Sequence, residues 1–129
     1  MIDTFPGSST ILLLASDPLM RTILHETLEG AGYFVMEAAN IGAAVDRLKE
    51  MRPDLLIVRP YIESMSGHMA AQYLRTRCPG LSVLMFSGFL DDDRIRVRNE
   101  IEDFHMLPNP IGKDELLLTV SEVLLRIAH

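Results

Sequence analysis

Three polar or charged residues lie just after apolar runs of the chain, and a fourth lies between two prolines. Arg59 and Ser87 directly follow such a run, Asp17 follows one after Ser16, and Asn109 separates Pro108 from Pro110. A carboxylate nucleophile and a divalent ion at such places could accept a phosphoryl group. A guanidinium has no nucleophilic lone pair at neutral pH, and its charge opposes the binding of a second cation. Phosphoryl acceptance at position 59 is therefore excluded by chemistry.

The remaining reactive residue types show no pattern that predicts catalysis or metal binding. Cys78 is the single cysteine of the chain, so an internal disulfide cannot form and a reducing cytoplasm is expected. The four histidines are scattered without an i,i+4 pair or zinc-ligand spacing, and they are His25, His68, His105 and His129. We expect surface histidines, no resident metal, no cofactor and no enzymatic activity.

Length and charge restrict the class of protein. The chain has 129 residues, 48% of them hydrophobic, which suits one domain with one core. A net charge of −6, without a Lys/Arg block, disfavours nucleic acid as a partner. No segment approaches the roughly 20 apolar residues of a membrane span, and the first residues do not look like an export signal. We expect a loose lead-in over 1–9 and one domain over 10–129.

The elements that would position these residues alternate between strand and helix. Apolar runs predict strands at Ile11–Ala15, Tyr33–Ala38, Leu55–Val58, Ser82–Phe86 and Phe104–Leu107. Apolar spacings of three and four predict helices after the caps Asp17 and Asn40, at Met69–Arg77, from Asp91 or Asp92 to Ile101, and over Leu116–Ile127. Five βα units result.

Alternating strands and helices with continuously apolar strands predict an α/β fold with a parallel sheet covered on both faces. With right-handed crossovers, we expect a flavodoxin-like, doubly wound sheet of order 2-1-3-4-5. Ligands and chemistry in such sheets sit beyond the carboxyl ends of the strands, near strands 1 and 3. The residues brought there would be Ala15, Ser16, Asp17, Arg59, Ser87 and Asn109.

Several junction motifs resemble those of response-regulator receiver domains, from about Thr10 to Ala128. They are Asp17-Pro18-Leu19, Pro53-Asp54-Leu55, Met65-x-Gly67, Phe86-Ser87-Gly88 and Pro108-Asn109-Pro110. The resemblance implies a place in two-component or phosphorelay signalling. It also implies a protein partner, which would be a histidine kinase, another receiver or an output domain, and it leaves a homodimer open.

The resemblance also shows where the chain departs from the family. Receiver domains carry two acidic residues after strand 1 that hold Mg²⁺, a phospho-accepting aspartate after strand 3, and a lysine before the last proline. The matching positions here are Ala15 with Ser16, Arg59, and Asn109, while Ser87 keeps the family's hydroxyl. The resemblance thus implies an atypical pseudo-receiver that acts by binding, independently of phosphorylation.

Arg59 should find a carboxylate, Asp17 or Glu63, because stranding a buried charge costs about 3–5 kcal/mol. Such a pair would lock one conformation. Simpler interpretations stand beside this one: Asp17 is only a helix cap, Ser87 only ends a strand, and Arg59 points to solvent.

Two further expectations rest on the resemblance. Met106 stands where the family has a switching aromatic, and it would belong to an interaction face formed by the last strand and its flanking helices. The Asn109–Pro110 bond would be cis, although only about 5–6% of X-Pro bonds are.

Two other functions stay open. The first is a small-molecule site in a flavodoxin-like pocket, since this architecture hosts unrelated functions. Against it, the loop from Ala15 to Leu19 has no glycine, and Pro18 removes a backbone donor that a phosphate would use. The second is that the chain is a receiver-like segment of a larger sensor kinase or regulator.

Overall fold

A computed structural model of the protein describes residues 9–86, 104–106 and 113–128, with the backbone alone at 104–106 and 126–128. The helices are α1 (Pro18–Gly30), α2 (Ile41–Glu50), α3 (Gly67–Arg77) and α4 (Lys113–Ala128). The strands are β1 (Thr10–Leu14), β2 (Phe34–Ala38), β3 (Leu55–Val58), β4 (Tyr61–Ile62), β5 (Met65–Ser66), β6 (Ser82–Met85) and β7 (Phe104–Met106).

Five strands form one sheet in the order β2-β1-β3-β6-β7, and every pairing in it is parallel. β4 and β5 form a separate antiparallel hairpin. With the hairpin set aside, the order is the predicted 2-1-3-4-5, which confirms the flavodoxin-like α/β fold. Each residue of β3 is buried, as expected for a central strand covered on both faces.

Each face of the sheet packs on a different pair of helices. Alternate strand residues such as Ile11 and Ile57 join the apolar sides of α1 and α4 in one core. Their neighbours, such as Leu12 and Val58, pack on α2 and α3 in the other. This alternation follows from the two-residue period of a strand. The outer surfaces of α3 and α4 therefore lie on opposite sides of the sheet.

Both predicted helix caps are confirmed. The Asp17 carboxylate accepts a hydrogen bond from Leu19 N at 3.0 Å, and the Asn40 side chain accepts one from Ala43 N at 2.8 Å. Gly32 after α1 has φ 101°, a conformation that glycine adopts without strain. Capping therefore determines where α1 and α2 begin.

The prediction of a plain loop between β3 and α3 was wrong. The chain forms the hairpin β4–β5 there, and α3 begins at Gly67 rather than Met69 because the Ser66 hydroxyl caps Met69 N at 3.1 Å. Strand bounds differ from prediction by one residue at β1, β2 and β6, and the predicted last residue of β7, Leu107, lies outside the described residues. The expected lead-in over 1–9, except for Ser9, and the helix ending at Ile101 lie outside the described residues.

Candidate functional site

The ends of the two central strands bring the first group of predicted site residues together. Leu14 pairs with Val58 in register, so Ala15 and Arg59 follow side by side at the carboxyl edge of the sheet. Ala15 is buried, and its backbone N–H donates to Ala38 O at 3.1 Å. Ser87, Asn109 and Pro110, and with them the predicted cis bond, lie outside the described residues; so does the Met106 side chain.

The Arg59 guanidinium is partly buried instead of extending into solvent. Its Cζ atom lies 5.9 Å from the centroid of the Phe86 ring, within the range of a cation–π contact. Burial lowers the pKa of Arg59 from its usual value, and the charge of Asp17 opposes that shift. The side chain therefore holds a positive charge at the sheet edge, beside the Phe86 ring and within the electrostatic influence of Asp17.

The two carboxylates predicted as partners of Arg59 have separate tasks. Asp17 caps α1 and also acts on the Arg59 charge. Glu63, in the turn of the β4–β5 hairpin, has the left-handed φ of 57°, and its Oε1 accepts a hydrogen bond from Ile41 N at 3.0 Å. The negative charge of Glu63 thus sits at the positive end of α2.

Gly67 fixes the path of the chain after Arg59. Its N–H donates to Pro60 O, and a Cβ atom at this position would overlap the carbonyl oxygen of Arg59. The first turn of α3 therefore packs directly on the backbone that carries the guanidinium. A larger residue would require this loop to move.

An ionic cluster beside the site was not predicted. Arg21 donates from Nη1 to Ala15 O at 2.7 Å and from Nε to Glu37 Oε1 at 3.1 Å. Nδ1 of His25 lies 2.5 Å from the other oxygen of Glu37, and Nε2 lies 3.4 Å from Glu29. His25 is thus a partly buried member of this cluster and not a plain surface residue. The cluster ties the end of β1 to the edge strand β2.

Across the described ranges, no three histidine, cysteine, aspartate or glutamate side chains are grouped so that they could hold a metal ion. None of the helices in this part of the chain combines the length and apolarity that crossing a membrane requires.

Comparison with known proteins extends over most of the chain. The chain is 28% identical to the sensor kinase CckA of Brucella abortus over 120 residues, and this alignment covers 92% of the chain and 13% of CckA. The sporulation initiation phosphotransferase F of Bacillus subtilis is 25% identical over 114 residues, or 88% of this chain and 92% of the relative. Against the first three curated relatives, the chain spans 13%, 27% and 50% of their lengths.

Solved structures agree with the sequence comparison. The signal receiver domain of a signal transduction histidine kinase from Syntrophus aciditrophicus superimposes with a TM-score of 0.75 at 26% identity, covering 93% of this chain and 92% of that one. The family model described as "Response regulator receiver domain" matches residues 11–121. This match agrees with the strand order and with the residues at the carboxyl edge of the sheet, and it shows that the chain belongs to the response regulator receiver domain family of two-component signalling.

Proposed function

We propose that this protein is an atypical receiver domain that signals by protein binding and does not accept a phosphoryl group. The observation that carries the proposal is Arg59, which follows β3 at the carboxyl edge of the sheet, beside the end of β1. The family's acceptor is a carboxylate at this position. A guanidinium cannot form an acyl phosphate, so the chemical step has no starting group.

The neighbouring positions also argue against a bound Mg²⁺. This ion prefers oxygen ligands, above all carboxylates. Ala15 supplies a buried methyl group, Ser16 supplies one neutral hydroxyl, and Asp17 already caps α1 and interacts electrostatically with Arg59. A divalent ion here would add a second cation next to the guanidinium, which raises its electrostatic cost.

A fixed positive charge offers a different way to signal. In a receiver that is phosphorylated, charge at this edge changes between two states. Arg59 keeps the charge constant, so the domain would present one conformation to its partner permanently. The partner would be a histidine kinase, another receiver or an output domain, and no enzymatic step is required of this chain.

Titration with beryllofluoride and Mg²⁺, followed by amide chemical shifts, tests the proposal. We expect no saturable shift at Ser16, Arg59 or Ser87. The matched control restores the family's residues through Ala15→Asp, Ser16→Asp, Arg59→Asp and Asn109→Lys, and it should bind the phosphoryl mimic. Saturable shifts clustered at these positions in the unaltered protein would refute the proposal.

A further inference from the structure

The outer surface of α3 exposes two large apolar side chains. Met69 is 57% exposed and Tyr73 is 42% exposed, one turn apart on the same side. Arg77, one further turn along, is exposed on the same side. We call the surface formed by Met69, Tyr73 and Arg77 the α3 face.

The charged side chains of α3 are all positive. Its 11 residues include no carboxylate, whereas Arg75 and Arg77 lie in the last turn. Arg77 donates to the Tyr73 hydroxyl at 2.9 Å, and its Cζ lies 5.1 Å from the ring centroid. The arginine is therefore held against the tyrosine. Tyrosine, methionine and arginine are the residue types enriched at the centres of protein interfaces.

The outer surface of α4 has the opposite character. Leu118 is 61% exposed and Leu125 is 43% exposed, seven residues apart and so on one side of the helix. Glu115 and Glu122 are exposed on the same side. We call the surface formed by these two leucines and two glutamates the α4 face.

We propose that the α3 face of one copy of this protein binds the α4 face of a second copy. Each surface has exposed apolar side chains two turns or less apart. Among the side chains that the structure describes, the charges beside them are opposite in sign: Arg77 on the α3 face, and Glu115 and Glu122 on the α4 face. Apolar contact would supply the attraction, while arginine–glutamate pairs at the rim would set the orientation. The occupant of each face is therefore the complementary face of the same chain.

The position of the two faces determines the form of the assembly. α3 packs on one side of the sheet and α4 on the other. When two copies bind, the α4 face of one copy and the α3 face of the other therefore stay free to bind further copies. Such head-to-tail contacts are heterologous, and they produce rings when the rotation closes or open chains when it does not. The contact does not involve Arg59, so it is independent of the proposed loss of phosphorylation.

Sedimentation velocity over a range of protein concentrations, at low and at high salt, tests the inference. We expect the sedimentation coefficient to rise with concentration, and the rise to weaken at high salt because rim charges are screened. Arg77→Glu makes both faces acidic, and Glu122→Lys places a positive charge on the α4 face. Each variant alone should associate about tenfold more weakly, as expected for one reversed charge pair.

Mixing the two variants distinguishes a weakened contact from misfolding, because misfolded variants would not regain association when mixed. Arg77→Glu keeps an acidic α4 face, which fits the basic α3 face of Glu122→Lys, and the two altered faces also fit each other. The mixture should therefore recover association. A protein that stays monomeric at every concentration would overturn the inference. So would a closed dimer that neither substitution weakens, or a mixture that associates no better than its components.

Discussion

Replacing Asp17 by asparagine and by alanine separates the two tasks of this carboxylate. Asp17 accepts the hydrogen bond from Leu19 N that caps α1, and its charge acts on the partly buried Arg59. Asparagine caps a helix about as well as aspartate but carries no charge. Asp17→Asn therefore removes only the electrostatic task, whereas Asp17→Ala removes both.

The two tasks of Asp17 should contribute different amounts to the free energy of unfolding. Loss of a helix cap costs about 1 kcal/mol. The charge interaction should contribute about 0.5 kcal/mol, because the Asp17 side chain is exposed and water weakens its attraction to Arg59. Asp17→Ala should thus lower the free energy of unfolding by about 1.5 kcal/mol and Asp17→Asn by about 0.5 kcal/mol.

Urea denaturation of a double-mutant cycle measures the charge interaction alone. In an Arg59→Met background, Asp17→Asn should cost almost nothing, while Asp17→Ala should still cost about 1 kcal/mol for the lost cap. The cycle is best measured at low salt, where the interaction is least screened. If Asp17→Asn destabilises the Arg59→Met protein as much as the unaltered one, Asp17 is only a cap, and the proposed lock fails.

Three further predictions concern packing and pH. Gly67→Ala should destabilise the fold by about 1–3 kcal/mol in urea, since its Cβ would overlap a backbone carbonyl, whereas Gly30→Ala meets open space and should be neutral or stabilising. Burial raises the pKa of Tyr33 above 10.0, so its share of the unfolding free energy is full below pH 10.0 and declines as pH rises toward the folded-state pKa. Tyr33→Phe should flatten this alkaline loss of stability, and Tyr61→Phe, an exposed control, should not. Leu13→Ala should cost about 2–5 kcal/mol by thermal or urea unfolding because the side chain is fully buried, and a loss below about 1 kcal/mol would contradict the packing.

The strands of the sheet and the starts of the helices could be predicted because short segments of the sequence identify them. Continuous apolar runs such as Leu55–Val58 identify strands buried on both faces, and Asp17 and Asn40 identify helix starts. The β4–β5 hairpin was missed because two-residue strands are too short for a periodic pattern. Its turn residue, Glu63, has a left-handed backbone conformation, which is uncommon for glutamate and therefore could not be predicted from the residue type.

In the described part of the site, the neighbouring positions of Ala15 and Arg59 could be predicted, but the contacts of their side chains could not. Parallel strands end at one edge, so Ala15 and Arg59 were expected to be neighbours. The link from Arg21 through Glu37 to His25 depends on the packing of α1 against β2, and no spacing in the sequence encodes that distance. Arg21, one turn after the cap Asp17, was the signal that could have suggested it.

The most direct test of the central claim is phosphoryl transfer itself. The protein is incubated with acetyl phosphate and Mg²⁺ and its intact mass is measured, beside the quadruple variant that combines Ala15→Asp, Ser16→Asp, Arg59→Asp and Asn109→Lys. We predict no mass increase in the unaltered protein and a Mg²⁺-dependent phosphoryl adduct in the variant. A Mg²⁺-dependent adduct on the unaltered protein would contradict the account.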